Sequence, residues 1–432
     1  METAASPPYK HLDPSTSEIR LLEVPSDGSK DWGLVTVSLD DNPEYAALSY
    51  VWGEKEDLRN INVQGQNAKA DAICINQEDD EERSQQVKLM YRIFSCAQTV
   101  YSWVGPNDYS LAFQAIKTLA HEVARNRSNN TIHDGHDDSA RTMHVPPFEI
   151  EWLRHHPSLC DEPTGTSPYD GNYKVDAMTD LLADPYWQRV WIFQESVLAR
   201  QLNLVSSGSI ILSWQNLSVA AESFYNLNLR WQVGQNLLQR PDFLPEMTWT
   251  HLAQFLKVDH AHWDTAALAS WLIATDPKDY IYGLLAISRI PITPDYSKDV
   301  AEVYADFVER WMETAKQNGV ENFNLLGFLA VAGAGAFKPT YNFPSWAPNF
   351  PENGRSDYKV HFDSSMSGKI FRGEPSKCPY LAKNTGSLFV WGAEIEPVLH
   401  VFKPCPDEDL DRQLCDLGFF LRDYTSRHSH YI

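Results

Sequence analysis

The stretch "ALSYVWGEKEDLRNINVQGQNAKADAICINQ", residues 47–77, decides how this chain is read. Residues 47–53 have the apolar and aromatic character of a buried strand that ends in a glycine turn. Residues 70–77 read as a second short strand closing in polar groups. Parallel neighbours need a crossover of about a dozen residues or more, usually a helix. Between these two strands stand Gly65, Asn60, Asn62, Asn67 and several charges, with no apolar helical stripe. Either the strands are not joined in the usual way, or a crossover is missing.

Outward from this stretch the pattern is clearer. Residues 19–24 and 34–39 read as strands around a turn at Ser26, Asp27 and Gly28. Residues 81–97 form the clearest helix, with Val87, Met90, Phe94 and Ala97 at helical spacing. A strand at 99–104 follows, closed by Gly105-Pro106. Helices are expected at 111–123 and 175–183, and Asp184-Pro185 opens one amphipathic helix over 186–199. Residues 202–212 alternate like a β-hairpin. This strand, helix, strand rhythm gives an α/β sheet. Residues 126–174 are rich in Asn, Asp, His, Pro and Gly and read as a long, partly disordered insertion. Later helices are expected at 217–226, 249–255, 265–273, 280–286 and 300–316, with a strand at 387–391.

The chain has 432 residues and a formal net charge of -22. That charge opposes general nucleic-acid binding, which depends on Lys and Arg against phosphates. It equally opposes docking on an anionic membrane surface. The six cysteines contain no CxxC pair, so no zinc site is expected. His133 and His136, beside Asp134, Asp137 and Asp138, read as a solvated polar loop rather than a metal site. The opening METAASPPYK lacks a basic region followed by an apolar one, so no secretory signal is expected. A cytoplasmic protein with reduced thiols follows. The longest apolar run, residues 325–337, is too short to span a bilayer.

Several longer segments together resemble a known family. "YAALSYVWG" (45–53), "DAICINQEDDEERSQQVKLMYRIFSCAQTVYSWVG" (71–105) and "YWQRVWIFQESVLA" (186–199) resemble the three blocks of the fungal heterokaryon-incompatibility (HET) domain. "ATDPKDYIYGLLAIS", "TPDYSKDVAEVYADFV" and "FPSWAPNF" are similar to segments that commonly follow it. The resemblance implies leading strands at 1–44, a HET domain at 45–200 and a C-terminal α+β region at 201–432. It implies an α/β fold, with a TIR-like or flavodoxin-like open sheet followed by a mainly helical C-terminal region. It also implies a role in fungal nonself recognition and programmed cell death, exercised through a protein partner or self-association, with no nucleic acid and no membrane. Family members carry a helix and then a strand with an apolar start where this chain runs from Val63 to Asp71. The resemblance therefore reads the gap as a lost crossover, through mis-splicing or in a degenerate allele.

The chemistry centres on "YWQRVWIFQESVLA". On one helix, Trp187, Trp191 and Glu195 would form a row four residues apart. Two indoles beside a carboxylate make an apolar wall for a flat ring, with a charge where a cation can develop. The family's architecture resembles Toll/interleukin-1 receptor (TIR) domains, several of which cleave NAD. In those enzymes a glutamate, often four residues after a tryptophan, supports loss of nicotinamide, and "WIFQE" has that spacing. The resemblance thus implies Glu195 as the catalytic group, with NAD as substrate and no bound cofactor. Asp71, Asn76 and Gln77 at a strand end, and Gly53 after the first strand, are candidate ligand-binding positions, because ligands sit outside the carboxyl ends of open α/β sheets. Each has a structural alternative. Trp191 can be core, Glu195 can pair with Arg189, Arg200 or a backbone amide, Asn76 and Gln77 can cap a helix, and Gly53 can supply a turn. Asp276, Lys278 and Asp279 read as a helix cap region with no chemistry. An enzyme, a non-catalytic interaction module and an inactive degenerate relative all remain open.

Overall fold

The structure, a computed structural model, describes residues 9–26, 31–51, 60–63, 66–69, 73–130, 173–221, 272–288, 290–317, 332, 341–351, 380–382 and 387–389. It is a mixed α/β protein. Strand β1 (Glu18–Glu23) pairs antiparallel with β2 (Asp31–Ser38). β3 (Ala46–Tyr50) follows, and then β4 (Asn60–Val63) and β5 (Gln66–Lys69) pair antiparallel, Val63 opposite Gln66. The first sheet runs β1-β2-β4-β5.

The parallel neighbour of β3 is β6 (Thr99–Trp103), with Ser49 opposite Ser102. The crossover between them is α1 (Asp80–Cys96). Its start is well specified. Asp79 is the N-cap, and its side chain accepts from the amides of Glu81 and Glu82 at 3.0 Å. Three acidic residues in the first turn complement the helix dipole. The strand expected at 70–77 does not form where it is described, because residues 73–78 are turns and a bend leading into that cap. Ile73 is instead buried against Val63 and the partly buried Leu22, Trp32 and Leu34.

After β6, α2 (Ser110–Asn130) runs five residues into the segment expected to be a loop. α3 (Tyr173–Ala183) and a 3-10 turn (Pro185–Gln188) lead to α4 (Trp191–Val197). The helix expected over 186–199 is thus two pieces. Arg189 between them is extended (φ -75°, ψ 134°) because it forms a one-residue parallel bridge to Ile273, with Val190 N–H donating to the Ile273 carbonyl at 3.2 Å. Strand pairing there wins over helix propensity. β7 (Leu202–Val205) joins parallel to β6, and β8 (Leu212–Ser213) pairs antiparallel with β7, giving the order β3-β6-β7-β8. Helix α5 spans 214–221.

The helix expected at 280–286 is two single turns, α6 (Asp279–Tyr282) and α7 (Leu285–Ser288). α8 (Val300–Gln317) is strongly amphipathic, burying Val303, Tyr304, Phe307, Val308, Trp311 and Met312 on one face. A hairpin of β9 (Tyr380–Ala382) and β10 (Ser387–Phe389) closes the described chain. The helices expected at 249–255 and, save its last two residues, at 265–273 lie outside the described residues. So do the histidines of the polar insertion. No helix among the described residues is long and apolar enough to cross a membrane.

Two large cores form among the described residues. One packs Val100, Leu202 and Leu204 of the second sheet under Phe113, Ile116, Leu119, Leu181 and Leu217. The other gathers Tyr280, Tyr282, Tyr304, Trp311 and Phe350. α4 lies at their junction, since Ile192 belongs to the first and Phe193 to the second. The first sheet is locked to α1 by a buried ion pair. Arg20 on β1 donates to both carboxylate oxygens of Glu82, at 2.5 and 2.8 Å, and to the carbonyls of Lys10 and Cys74. Removing one partner of such a pair leaves an uncompensated charge and costs about 3–5 kcal/mol. Arg20→Ala should therefore lower the urea midpoint sharply. Asp40→Asn, which breaks a more exposed pair with Arg92, should move it far less. Equal small shifts would contradict this assignment.

Candidate functional site

The carboxyl ends of β3 and β6 carry an unusual set of buried polar groups. Alternation along β3 turns Ala47, Ser49 and Val51 towards the first core, and along β6 it turns Val100 and Ser102 the same way. Ser49 and Ser102 are therefore polar residues at inward positions, side by side in register. Above them the chain leaves α3 through Asp184. The Asp184 carboxylate accepts from Tyr186 N–H at 2.9 Å and from the Tyr109 phenol at 2.7 Å. Gly105 makes this approach possible. It has φ +118°, and a Cβ there would come within 3.1 Å of Asp184 Oδ2.

So anchored, Tyr186 points its phenol at Ser49 Oγ, 2.9 Å away. The Ser49 hydroxyl in turn donates to Glu195 Oε2. Glu195 is only 6% exposed. Arg189, held extended by its bridge to Ile273, donates to the Tyr50 carbonyl at the end of β3 and sets its charge near the carboxylate. Burial pushes the Glu195 carboxyl above the usual range, while the Arg189 guanidinium and the Ser49 hydroxyl oppose that rise. The Tyr186 phenol is pushed up to about 12, by burial first and then by the Glu195 charge.

The residues expected to act together are only partly brought together. Trp191 and Glu195 do share α4, one turn apart. The Trp191 indole N–H donates to Asp279 Oδ2 at 3.1 Å, and the ring packs on the second core. Trp187 does not continue that row, because it sits on the 3-10 turn beyond the extended Arg189. Its indole donates to the Leu181 carbonyl at 2.7 Å, and the ring stacks on Trp214 with centroids 6.5 Å apart. Asn76 and Gln77 bond within their own turn. Asn76 Oδ1 accepts from Glu78 N–H at 3.2 Å, and Gln77 Nε2 donates to the Ile75 carbonyl at 3.4 Å. Both serve the entry to α1. Asp71 and Gly53 lie outside the described residues.

The sequence does not mark Ser49, Ser102 and Tyr186 as site residues; Arg189 is read there only as a structural partner of Glu195, and its charge does act on that carboxylate. The signal available was the polar residue at an inward strand position of "ALSYV". As an ionised group, Glu195 accepts from hydroxyls and balances a developing cation. As a neutral acid it donates a proton.

Residues 70–195 match the family model described as Heterokaryon incompatibility protein (HET), and that match ends on Glu195. Heterokaryon incompatibility protein 6, OR allele, of Neurospora crassa is 24% identical over 420 residues, covering 79% of this chain and 58% of that protein. The chain thus spans a little over half the length of this relative. No solved structure matches it.

The burial of Glu195 has a signed consequence for stability. A carboxyl whose value is raised in the folded state contributes stability that is complete below its unfolded value and lost as pH rises through the folded one. Glu195→Gln keeps the shape and can still bond Ser49. Its melting temperature should match the parent near pH 4 and equal or exceed it at pH 8. A variant that melts well below the parent at pH 8 alone would show that Glu195 is instead stabilised as an anion.

Proposed function

We propose that this chain, a HET-domain protein, acts in fungal heterokaryon incompatibility as a cytoplasmic effector of nonself recognition and cell death, and that Glu195 supports cleavage of NAD. The observation that carries this reading is the Glu195–Ser49–Tyr186 chain of hydrogen bonds at the carboxyl ends of parallel strands. That end of an α/β sheet is where ligands bind. The TIR-like or flavodoxin-like reading of the sheet belongs to the same proposal, and the parallel β3-β6-β7 order supports it.

The step is heterolysis of the glycosidic bond between the nicotinamide nitrogen and the ribose carbon. The bonding electron pair leaves with nicotinamide, and the ribose becomes oxocarbenium-like. Water then adds to that carbon and loses a proton to solvent, giving ADP-ribose. As a carboxylate, which the Arg189 charge and the Ser49 hydroxyl favour against the rise that burial imposes, Glu195 faces the developing cation or holds the ribose hydroxyls. Ser49 orients its carboxylate. The Trp191 ring supplies a flat apolar wall on the same side of α4. NAD is consumed as substrate, and no resident cofactor is required.

A second reading is a non-catalytic module that self-associates or docks a protein partner. One observation favours it. Leu48 and Tyr101 face each other across β3 and β6 on the outer side of the sheet, 57% and 37% exposed. Parallel strands are ordinarily covered on both faces.

Nicotinamide release by the purified protein, measured beside viability of cells that express it, separates the two. Loss of a preorganised electrostatic contact lowers rate by about 10²–10³. Glu195→Gln should reduce release by that order and rescue viability, with Ser49→Ala reducing it less. Cell death that persists in Glu195→Gln without any nicotinamide release would overturn the enzymatic reading and leave the module.

A further inference from the structure

From the sequence, Asp276, Lys278 and Asp279 read as a helix cap region with no chemistry. Asp276 accepts from Lys278 N–H at 3.0 Å in the turn before α6, whose N-cap, Lys278, has no side-chain cap bond. Asp279 does something different. Its Oδ2 accepts from the Trp191 indole at 3.1 Å, and its Oδ1 accepts from the Tyr296 phenol at 2.5 Å. One carboxylate therefore ties α4 to the turn that precedes α8.

The groups around it make that tie specific. The Arg83 guanidinium of α1 lies 3.4 Å above the Tyr296 ring and donates to Asp276 Oδ2 at 2.7 Å. Lys278 Nζ donates to the Tyr296 carbonyl at 2.6 Å, and Tyr296 N–H donates to Ser84 Oγ at 3.0 Å. The Tyr304 hydroxyl of α8 donates to the Pro277 carbonyl at 2.8 Å. Gly283 lets α6 close on α4, since a Cβ there would meet Val190 Cγ1 at 3.2 Å and the Asp279 carbonyl at 2.9 Å.

We propose that Asp279 is a positioning residue for the Glu195 site, clasping Trp191 and Tyr296 so that residues 276–283 set where α4 lies. The proposal rests on the reading of Glu195 as the working group. Trp191 and Glu195 are one turn apart on α4, so whatever holds the indole fixes the angle at which Glu195 meets Ser49.

The clasp also responds to acid. Burial pushes the Asp279 carboxyl up to about 6, with Asp276 adding to the rise and Tyr296, Trp191 and Arg83 opposing it. The Tyr296 phenol is driven far above its ordinary value by burial and by Asp279, so it stays a donor throughout. Protonation removes the charge at which two donors point, and the hold on the indole weakens. The sign for the whole fold is opposite. A raised carboxyl contributes stability that is present below its unfolded value and lost as pH rises through about 6. Acid therefore loosens the clasp locally, while protonation of Asp279 itself costs the fold no stability.

The test uses the full chain labelled with 5-fluorotryptophan, the Trp191 resonance being assigned by its loss in Trp191→Phe. In the parent this ¹⁹F resonance should move with a midpoint near pH 6. In Asp279→Asn, which can still bond both neighbours, it should stay still, while Asp276→Asn should leave the titration in place. Should Asp279→Asn fold poorly, Tyr296→Phe removes a donor that lowers the midpoint, so the midpoint should move up. A Trp191 resonance indifferent to pH in the parent, or a titration that survives Asp279→Asn, would overturn the clasp. This readout needs no turnover, so a protein that releases no nicotinamide counts against the Glu195 reading and not against the clasp. If nicotinamide is released, the acid limb of its pH–rate profile should shift in Asp279→Asn.

Discussion

A carboxyl group removed from water must find donors or give up its charge, and Glu195 imposes that demand on everything around it. Desolvation of an ion in a protein interior costs several kcal/mol even after relaxation. The Ser49 hydroxyl, the Tyr186 phenol behind it and the Arg189 charge answer that cost. Each comes from a different element. Ser49 arrives on β3, Tyr186 on the 3-10 turn and Arg189 on the extended residue before α4. The β3-α1-β6 crossover, the break in the helix at Arg189 and the cap at Asp184 all place these donors. A continuous helix over 186–199 would have removed the extended backbone at Arg189 through which the chain bridges to Ile273.

The same region is where two cores meet. α4 has only seven residues, and its consecutive side chains Ile192 and Phe193 pack into different cores. A helix so short has little stability of its own. Its position is set by its neighbours: the bridge at Arg189 from one side and the Asp279 bond to Trp191 from the other. The segment that resembles a follow-on of the HET domain is thus part of what holds the site.

Much of this was legible in the residues. The α/β class followed from the strand and helix rhythm, and α1 and α8 from their apolar spacing and caps. The relation of Trp191 to Glu195 on one helix was correct. The partner of β3 is left open by the residues, because short strands reveal only their own periodicity and not which partner they take. "DAICINQ" has the short apolar run of a strand, yet its polar end is committed to the turn before α1. Trp187 was misplaced because helix periodicity over 186–199 is a local property, while the bridge that breaks it comes from Ile273, 84 residues after Arg189. Ser49 and Tyr186 were missed because a serine or tyrosine in an apolar run carries no mark of its distant partner. Asp279 was seen as a cap because a cap is all that sequence proximity can suggest.

That Glu195 is a buried carboxyl held by Ser49 is the premise on which the site stands. Carbon-13 NMR of the protein labelled at glutamate carboxyls tests it directly, with the Glu195 signal assigned by its loss in Glu195→Gln. The midpoint should lie above the ordinary glutamate value of about 4.3, with a further rise in Ser49→Ala, where a bond that favours the anion is gone. A midpoint at or below the ordinary value, or one that Ser49→Ala leaves unchanged, would contradict it.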